Sequence, residues 1–193
     1  MARPARFTAD EFLDAAVRRI AARGPAAATV SAIAADLGAP SGSFYHRFRS
    51  REALVAAAWL RSVERFQEGF LARLVRGDGL EAALHTPRWA RARPEEARLL
   101  LLHRREDLVT GPFPAELRVR AEAAIRQVDD GLRAFARARL GGVTAAAVRR
   151  VWFAVVDVPY AAVRRHLAAG EAPPPLADEL IRAAYRATMG DDA

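Results

Sequence analysis

Ser41, Ser43 and His46 stand close together in the stretch GAPSGSFYHRF, Gly38 to Phe48. A hydroxyl beside an imidazole is the pairing from which a nucleophile and its base can be made. The same stretch holds Tyr45 and Arg47, with Arg51 just beyond. These side chains suit a second chemistry, hydrogen bonding to phosphate oxygens and base edges. The first chemistry needs a carboxylate to orient the histidine, and none stands at an obvious position nearby. No Gly-rich phosphate loop occurs elsewhere, and His85 and His166 have no partner at metal-ligand spacing. The chain has no cysteine, which removes thiolate nucleophiles, thiolate metal sites and disulfides. Catalysis is therefore not expected, and no cofactor or metal is implied.

The elements that must hold these residues are helices. Alanine, leucine and arginine dominate between short Gly/Pro punctuations, and alternating β-branched runs are missing. This pattern predicts an all-α fold. Thr8 and Glu11 form a T-x-x-E capping box, with Phe7 and Phe12 at the hydrophobic-staple positions. Phe12, Leu13, Ala16, Val17 and Ile20 give this first helix a buried stripe that ends before Gly24. Thr29 caps a short second helix carrying Val30, Ile33, Ala34 and Leu37 at i, i+3, i+4 and i+7, and Gly38 stops it. A third helix of roughly two turns is expected from Ser41 to about Phe48, with Phe44 and Phe48 on one face. Ser50 caps a fourth that runs to about Leu74.

Two short helices joined by a tight turn containing Gly are a helix-turn-helix, whose second helix enters the major groove of DNA. Small residues at Ser41, Gly42 and Ser43 let that helix approach closely, Phe44 and Phe48 anchor its back, and Tyr45 and His46 point outward. Such readers work in pairs across two half-sites, so a homodimer is expected.

Beyond Gly77-Asp78-Gly79, longer helices are expected over about 80–92 (broken near Pro87), 95–109, 114–140, 144–169 and 174–188, about nine in all. The domains are then 1–50, the helix-turn-helix, and 51–193, a larger helical unit, connected by the helix over about 51–74. Asp157 beside Pro159 has two readings: it caps a helical half restarting at the proline, or it faces a ligand cavity together with Tyr160. The net charge is +7, and all 30 basic residues are arginine. Complete absence of lysine amid abundant alanine looks like coding bias, so charge alone points only weakly to nucleic acid. No apolar signal core and no run near the ~20 residues of a membrane span is present, and the chain reads as soluble and cytoplasmic.

ATVSAIAADLGAPSGSFYHRFRSREAL, Ala28 to Leu54, resembles the DNA-binding signature of the TetR family of transcriptional regulators. In that signature A-T-V-x-x-I-A precedes G-V-S-x-G-x-x-Y-x-H-F and S-K-E. The resemblance implies that Thr29 and Tyr45 touch phosphates and that Ser41, Gly42, Ser43 and His46 lie against the groove. Arg47 stands where many members have histidine, and Ala39-Pro40 replaces the usual Val-Ser. Arg51, in place of the usual lysine, is implied to grip a phosphate. Its place in the first turn of the fourth helix agrees, because the macrodipole there disfavours a cation unless an anion docks beside it.

The resemblance also implies a repressor that binds a palindromic operator in double-stranded DNA and is released by a small-molecule effector. The last two long helices would pair with those of a second copy, through Val148, Val151 or Trp152, Val155, Val163 and Leu167 on one and Leu176, Leu180, Ala183, Ala184 and Ala187 on the other. Candidates to line the effector pocket are Trp59, Phe66, Trp89, His103, Phe113, Trp152, Asp157 and Tyr160. The alternative is a helical protein-interaction module whose basic surface is incidental.

Overall fold

A computed structural model describes residues 7–108 and 114–190. The described residues form helices joined by short turns and loops, with no strand among them. Helix α1 (Ala9–Arg23) begins with the expected capping box: Glu11 N donates to Thr8 Oγ1 at 3.3 Å and Thr8 N donates to Glu11 Oε2 at 2.6 Å. A short 3-10 turn at Pro25–Ala27 leads to α2 (Val30–Leu37), capped by Thr29 Oγ1, which accepts from Ala32 N at 3.2 Å. Gly38 ends α2 at φ 61° and ψ 27°, a left-handed conformation that glycine adopts without steric cost. Helix α3 (Ser41–Tyr45) is shorter than expected, although Phe48 N still donates to Phe44 O at 2.9 Å and extends the turn to the expected end. Ser50 then caps α4 (Arg51–Val75) by accepting from Ala53 N at 3.1 Å.

Helix α5 (Gly79–Ala92) runs through Pro87 instead of breaking there. Proline inside a helix costs about 3 kcal/mol. Here the run Ala82 to Pro87 is buried between α4, α10 and α11, and that burial offsets the lost hydrogen bond. The helix expected over about 95–109 is cut short as α6 (Pro94–Leu102), because His103 turns extended at φ −118° and ψ 141°. A one-turn helix, α7 (Arg105–Leu108), follows and returns Leu108 to the core past four exposed polar residues. Helix α8 (Ala115–Leu140) ends at left-handed Gly141.

The expected 144–169 helix is continuous but changes winding. Helix α9 (Ala145–Trp152) passes through a π turn (Phe153–Asp157) into α10 (Val158–Ala168), and Pro159 is the cause. Lacking an N–H, Pro159 cannot bond Val155 O, and the ladder widens so that Val158 N donates to Phe153 O. Asp157 stays in right-handed helical backbone with no side-chain capping bond, so the capping reading of that residue fails. Helix α11 (Pro175–Met189) begins at the proline run as expected.

Helix α4 is the spine, packed along α8, α1 and α5. One apolar cluster joins Phe12, Ile20, Ile33 and Phe44 to Leu54 and Val55 of α4 and continues to Leu99, Leu108 and Ala121. A second, at the far end of α4, gathers Phe70, Leu84, Leu132, Phe135, Val155, Ile181 and Tyr185. Charged pairs reinforce the joints: Arg61 reaches Asp10 at 2.9 Å and Asp14 at 2.5 Å, and Arg91 grips Asp178 through two bonds of 2.8 and 3.0 Å. Among the described residues, no helix is long and apolar enough to cross a membrane.

Candidate nucleic-acid interface

The back of α3 is an aromatic anchor. Phe44, fully buried, meets Phe12 edge-on with ring centroids 5.8 Å apart, and Phe48 lies 5.8 Å from Phe44 and 6.4 Å from Phe12. The contact fixes α3 across α1, as the i, i+4 spacing implies. The opposite side is left to solvent: Ser41, Gly42, Tyr45, His46 and Arg47 are exposed and Ser43 is half-buried. Tyr45 is 61% exposed, its ring resting edge-on against Phe44 at 5.2 Å. A Cβ added at Gly42 would meet nothing within 4 Å, so nothing inside the protein requires glycine there. No side chain among the described residues hydrogen-bonds the His46 ring, so the orienting partner a catalytic pair needs is not supplied.

Two arginines depart from the expected arrangement. Arg47 is exposed, but its Nη2 donates to Phe7 O at 3.2 Å, which ties the segment just after α3 to the entry of α1. Arg51 does not extend toward solvent as a phosphate grip would. Its Nε donates to Ala28 O at 2.9 Å and its Nη2 donates to Pro25 O, both in the connection between α1 and α2. Thr29, by contrast, is exposed at the head of α2.

The seven pocket candidates among the described residues do not line one common cavity. Trp59 belongs to the first apolar cluster, with Arg105 over its ring at 6.0 Å. Phe66 and Trp89 pack edge-on at 5.2 Å between α4 and α5. His103 is half-buried against the backbone of Ile20 in α1, and burial pushes its pKa below the usual value. Tyr160 is exposed and donates to Leu101 O at 3.1 Å. Trp152 and Asp157 line an outward groove of about 590 Å³ with Arg133, Val148 and Arg149. Phe113 lies outside the described residues.

His85, given no role by the sequence, is buried beside Phe66, with ring centroids 5.0 Å apart, and its Nε2–H donates to Phe66 O at 2.9 Å. No spacing rule marks it; only the packing of α5 on α4 does. Burial is the main cause of its lowered pKa, with Arg73 and Arg88 adding repulsion. Well above the ordinary histidine value of 6.5 the ring is neutral in both folded and unfolded chains. As pH falls below that, the unfolded chain takes up a proton that the folded chain resists, so stability declines. The melting temperature should therefore drop between pH 7.5 and 5.5. His85→Gln, which keeps a donor for Phe66 O but does not titrate, should flatten part of that drop; equal slopes in the two proteins would refute the assignment.

The expected dimer stripe is divided. Val155 and Val163 are fully buried inside the chain and cannot meet a partner, and Val151 and Leu167 join them in the interior. The regular apolar stripe serves the chain's own core. Val148 and Ala184 are half-buried, whereas Leu176 and Leu180 are 54% and 56% exposed. Trp152, Phe153 and Tyr160 are also exposed on the neighbouring helical stretch.

An anchored short helix with a polar outward face, set on a long all-helical body, is a helix-turn-helix arrangement. Residues 12–58 match the model of bacterial regulatory proteins of the tetR family. The fatty acid degradation regulator FadR of Bacillus halodurans has a similar structure at 16% identity and a TM-score of 0.70, covering 98% of this chain and 96% of that one. A tetR-family regulatory protein from Rhodococcus RHA1 is 18% identical with a TM-score of 0.69, covering 99% and 100%. FadR of Bacillus subtilis, solved in complex with stearoyl-CoA, is 16% identical with a TM-score of 0.59, covering 96% and 100%. At such identities the likeness is one of fold. No curated protein matches the chain in sequence.

Proposed function

We propose that the chain is a dimeric transcriptional repressor that binds a palindromic operator and releases it when a small molecule binds. The observation that carries this reading is the outward face of α3, where Ser41, Gly42, Tyr45 and His46 are exposed over a buried aromatic anchor. In this reading Ser41, Gly42, Ser43 and His46 address base edges, and Thr29, Tyr45 and Arg47 address the backbone. Residues 1–50 are the reading domain and 51–193 the effector and dimerisation domain, with α4 connecting them and the whole acting in the cytoplasm. The operator's two-fold symmetry is met by a second copy docked through Leu176 and Leu180.

The effector site is placed around Phe66 and Trp89. Trp89 Nε1 is buried without an acceptor, an unmet donor that a ligand oxygen would satisfy. Because one fold neighbour binds stearoyl-CoA, a long-chain acyl thioester is the first effector class to try. The test is selection of fragmented genomic DNA by the purified protein at two salt concentrations, with sequencing of what stays bound. A palindromic site, retained with affinity that falls steeply as salt rises, is expected. Enrichment of no sequence at either salt, with and without long-chain acyl-CoA, would overturn the reading in favour of a helical interaction module.

A further inference from the structure

We infer that Arg51 is a positioning residue for DNA reading, a clamp that holds the head of α2 to the first turn of α4 and makes no phosphate contact. The inference rests on the regulator reading above. The guanidinium spans the carbonyls of Pro25 and Ala28, one turn of the connection, with Nε at 2.9 Å from Ala28 O. Ala28 is fully buried and immediately precedes Thr29, the residue that caps α2. Whatever fixes Ala28 therefore fixes where α2 begins, and α3 follows through the tight turn at Gly38.

The chemistry of the side chain explains why arginine stands here. A guanidinium presents donors in a rigid planar fork, which reaches two carbonyls at once, whereas an ammonium is a single mobile point charge. The remaining nitrogen, Nη1, faces the Glu52 carboxylate at 3.6 Å. The charge is thus satisfied from within the protein. A cation in the first turn of a helix is opposed by the macrodipole; here two carbonyls and a carboxylate offset that penalty without a docked anion. Helix α4 is also the spine of the body, so the clamp registers the reading helix against the element that carries the second domain.

Base edges demand a close fit while phosphate contacts tolerate displacement, so losing the clamp should cost discrimination first. Arg51→Lys separates the roles because it keeps the charge and matches the family's usual residue. We expect faster amide hydrogen exchange over residues 25–33 in the free protein. On the tightest fragment from the genomic selection, affinity should fall about tenfold, while affinity for a mixed-sequence duplex and the dependence on salt stay unchanged. A simple loss of stability would lower both affinities together. Wild-type affinity and wild-type exchange in Arg51→Lys would overturn the clamp, as would a drop of about one in the salt slope of Arg51→Met with exchange unaltered. Failure of the wild-type protein to bind any duplex would sink the regulator reading, and the exchange measurement, which needs no DNA, would still decide whether Arg51 holds α2.

Discussion

Phe44→Ala is expected to abolish operator binding and to lower the melting temperature by on the order of 10 °C. Phe44 is fully buried and touches three other rings, those of Phe12, Tyr45 and Phe48, at centroid distances of 5.8, 5.2 and 5.8 Å. Truncating such a ring costs about 3–5 kcal/mol, the lost burial plus the cavity left behind. A typical domain has only about 5–15 kcal/mol in total. Helix α3 has five residues and no side-chain cap, so it cannot persist without that anchor. The second apolar cluster does not involve Phe44, and the far end of the body should remain helical. Circular dichroism melting beside a binding titration checks both parts. A variant that melts within about 2 °C of wild type and still binds the operator would show that α3 is held by something else.

The double substitution Leu176→Glu with Leu180→Glu is expected to yield a folded monomer whose operator affinity is at least about a hundredfold weaker. Both leucines lie on the outward side of α11, while its inward stripe of Ala177, Ile181, Tyr185 and Met189 stays buried and untouched. Stability of the single chain should therefore change little, since exposed substitutions usually shift it by no more than about 0.5 kcal/mol. The large loss comes from avidity: two reading heads joined in one particle gain about 10²–10⁴ over one. Sedimentation at micromolar concentration gives the mass, and titration against the selected fragment gives the affinity. A double variant that sediments as a dimer would remove these residues from the interface.

Much of this chain was legible before any tertiary information. The helix starts at Thr8, Thr29 and Ser50 and the stop at Gly38 fall where their residue types place them, because a cap is a bond between residues three or four apart and needs nothing else. The helix-turn-helix was legible for a related reason: its turn, its anchoring pair Phe44 and Phe48, and its small outward residues all sit within one short stretch. Pro159 likewise announced a disturbance, although the outcome was a π turn and not a restart.

Only the tertiary structure decided which way side chains turn once helices meet. Val155 and Val163 form as good a dimer stripe as any on paper, yet the π turn packs on α5 and α11, and α10 on α5, α6 and α11, and these contacts consume them. Pro87 sits within a regular helix whereas Pro159 follows a π turn, although both are buried. Arg51 turns to carbonyls 23 and 26 residues away, and His85 to one 19 residues away, separations that no local pattern encodes. Local hydrogen bonding and periodicity determined the elements and the reading motif. The partition of apolar faces between core and surface, and of arginines between internal carbonyls and solvent, depends on contacts between distant segments, and those exist only in the assembled fold.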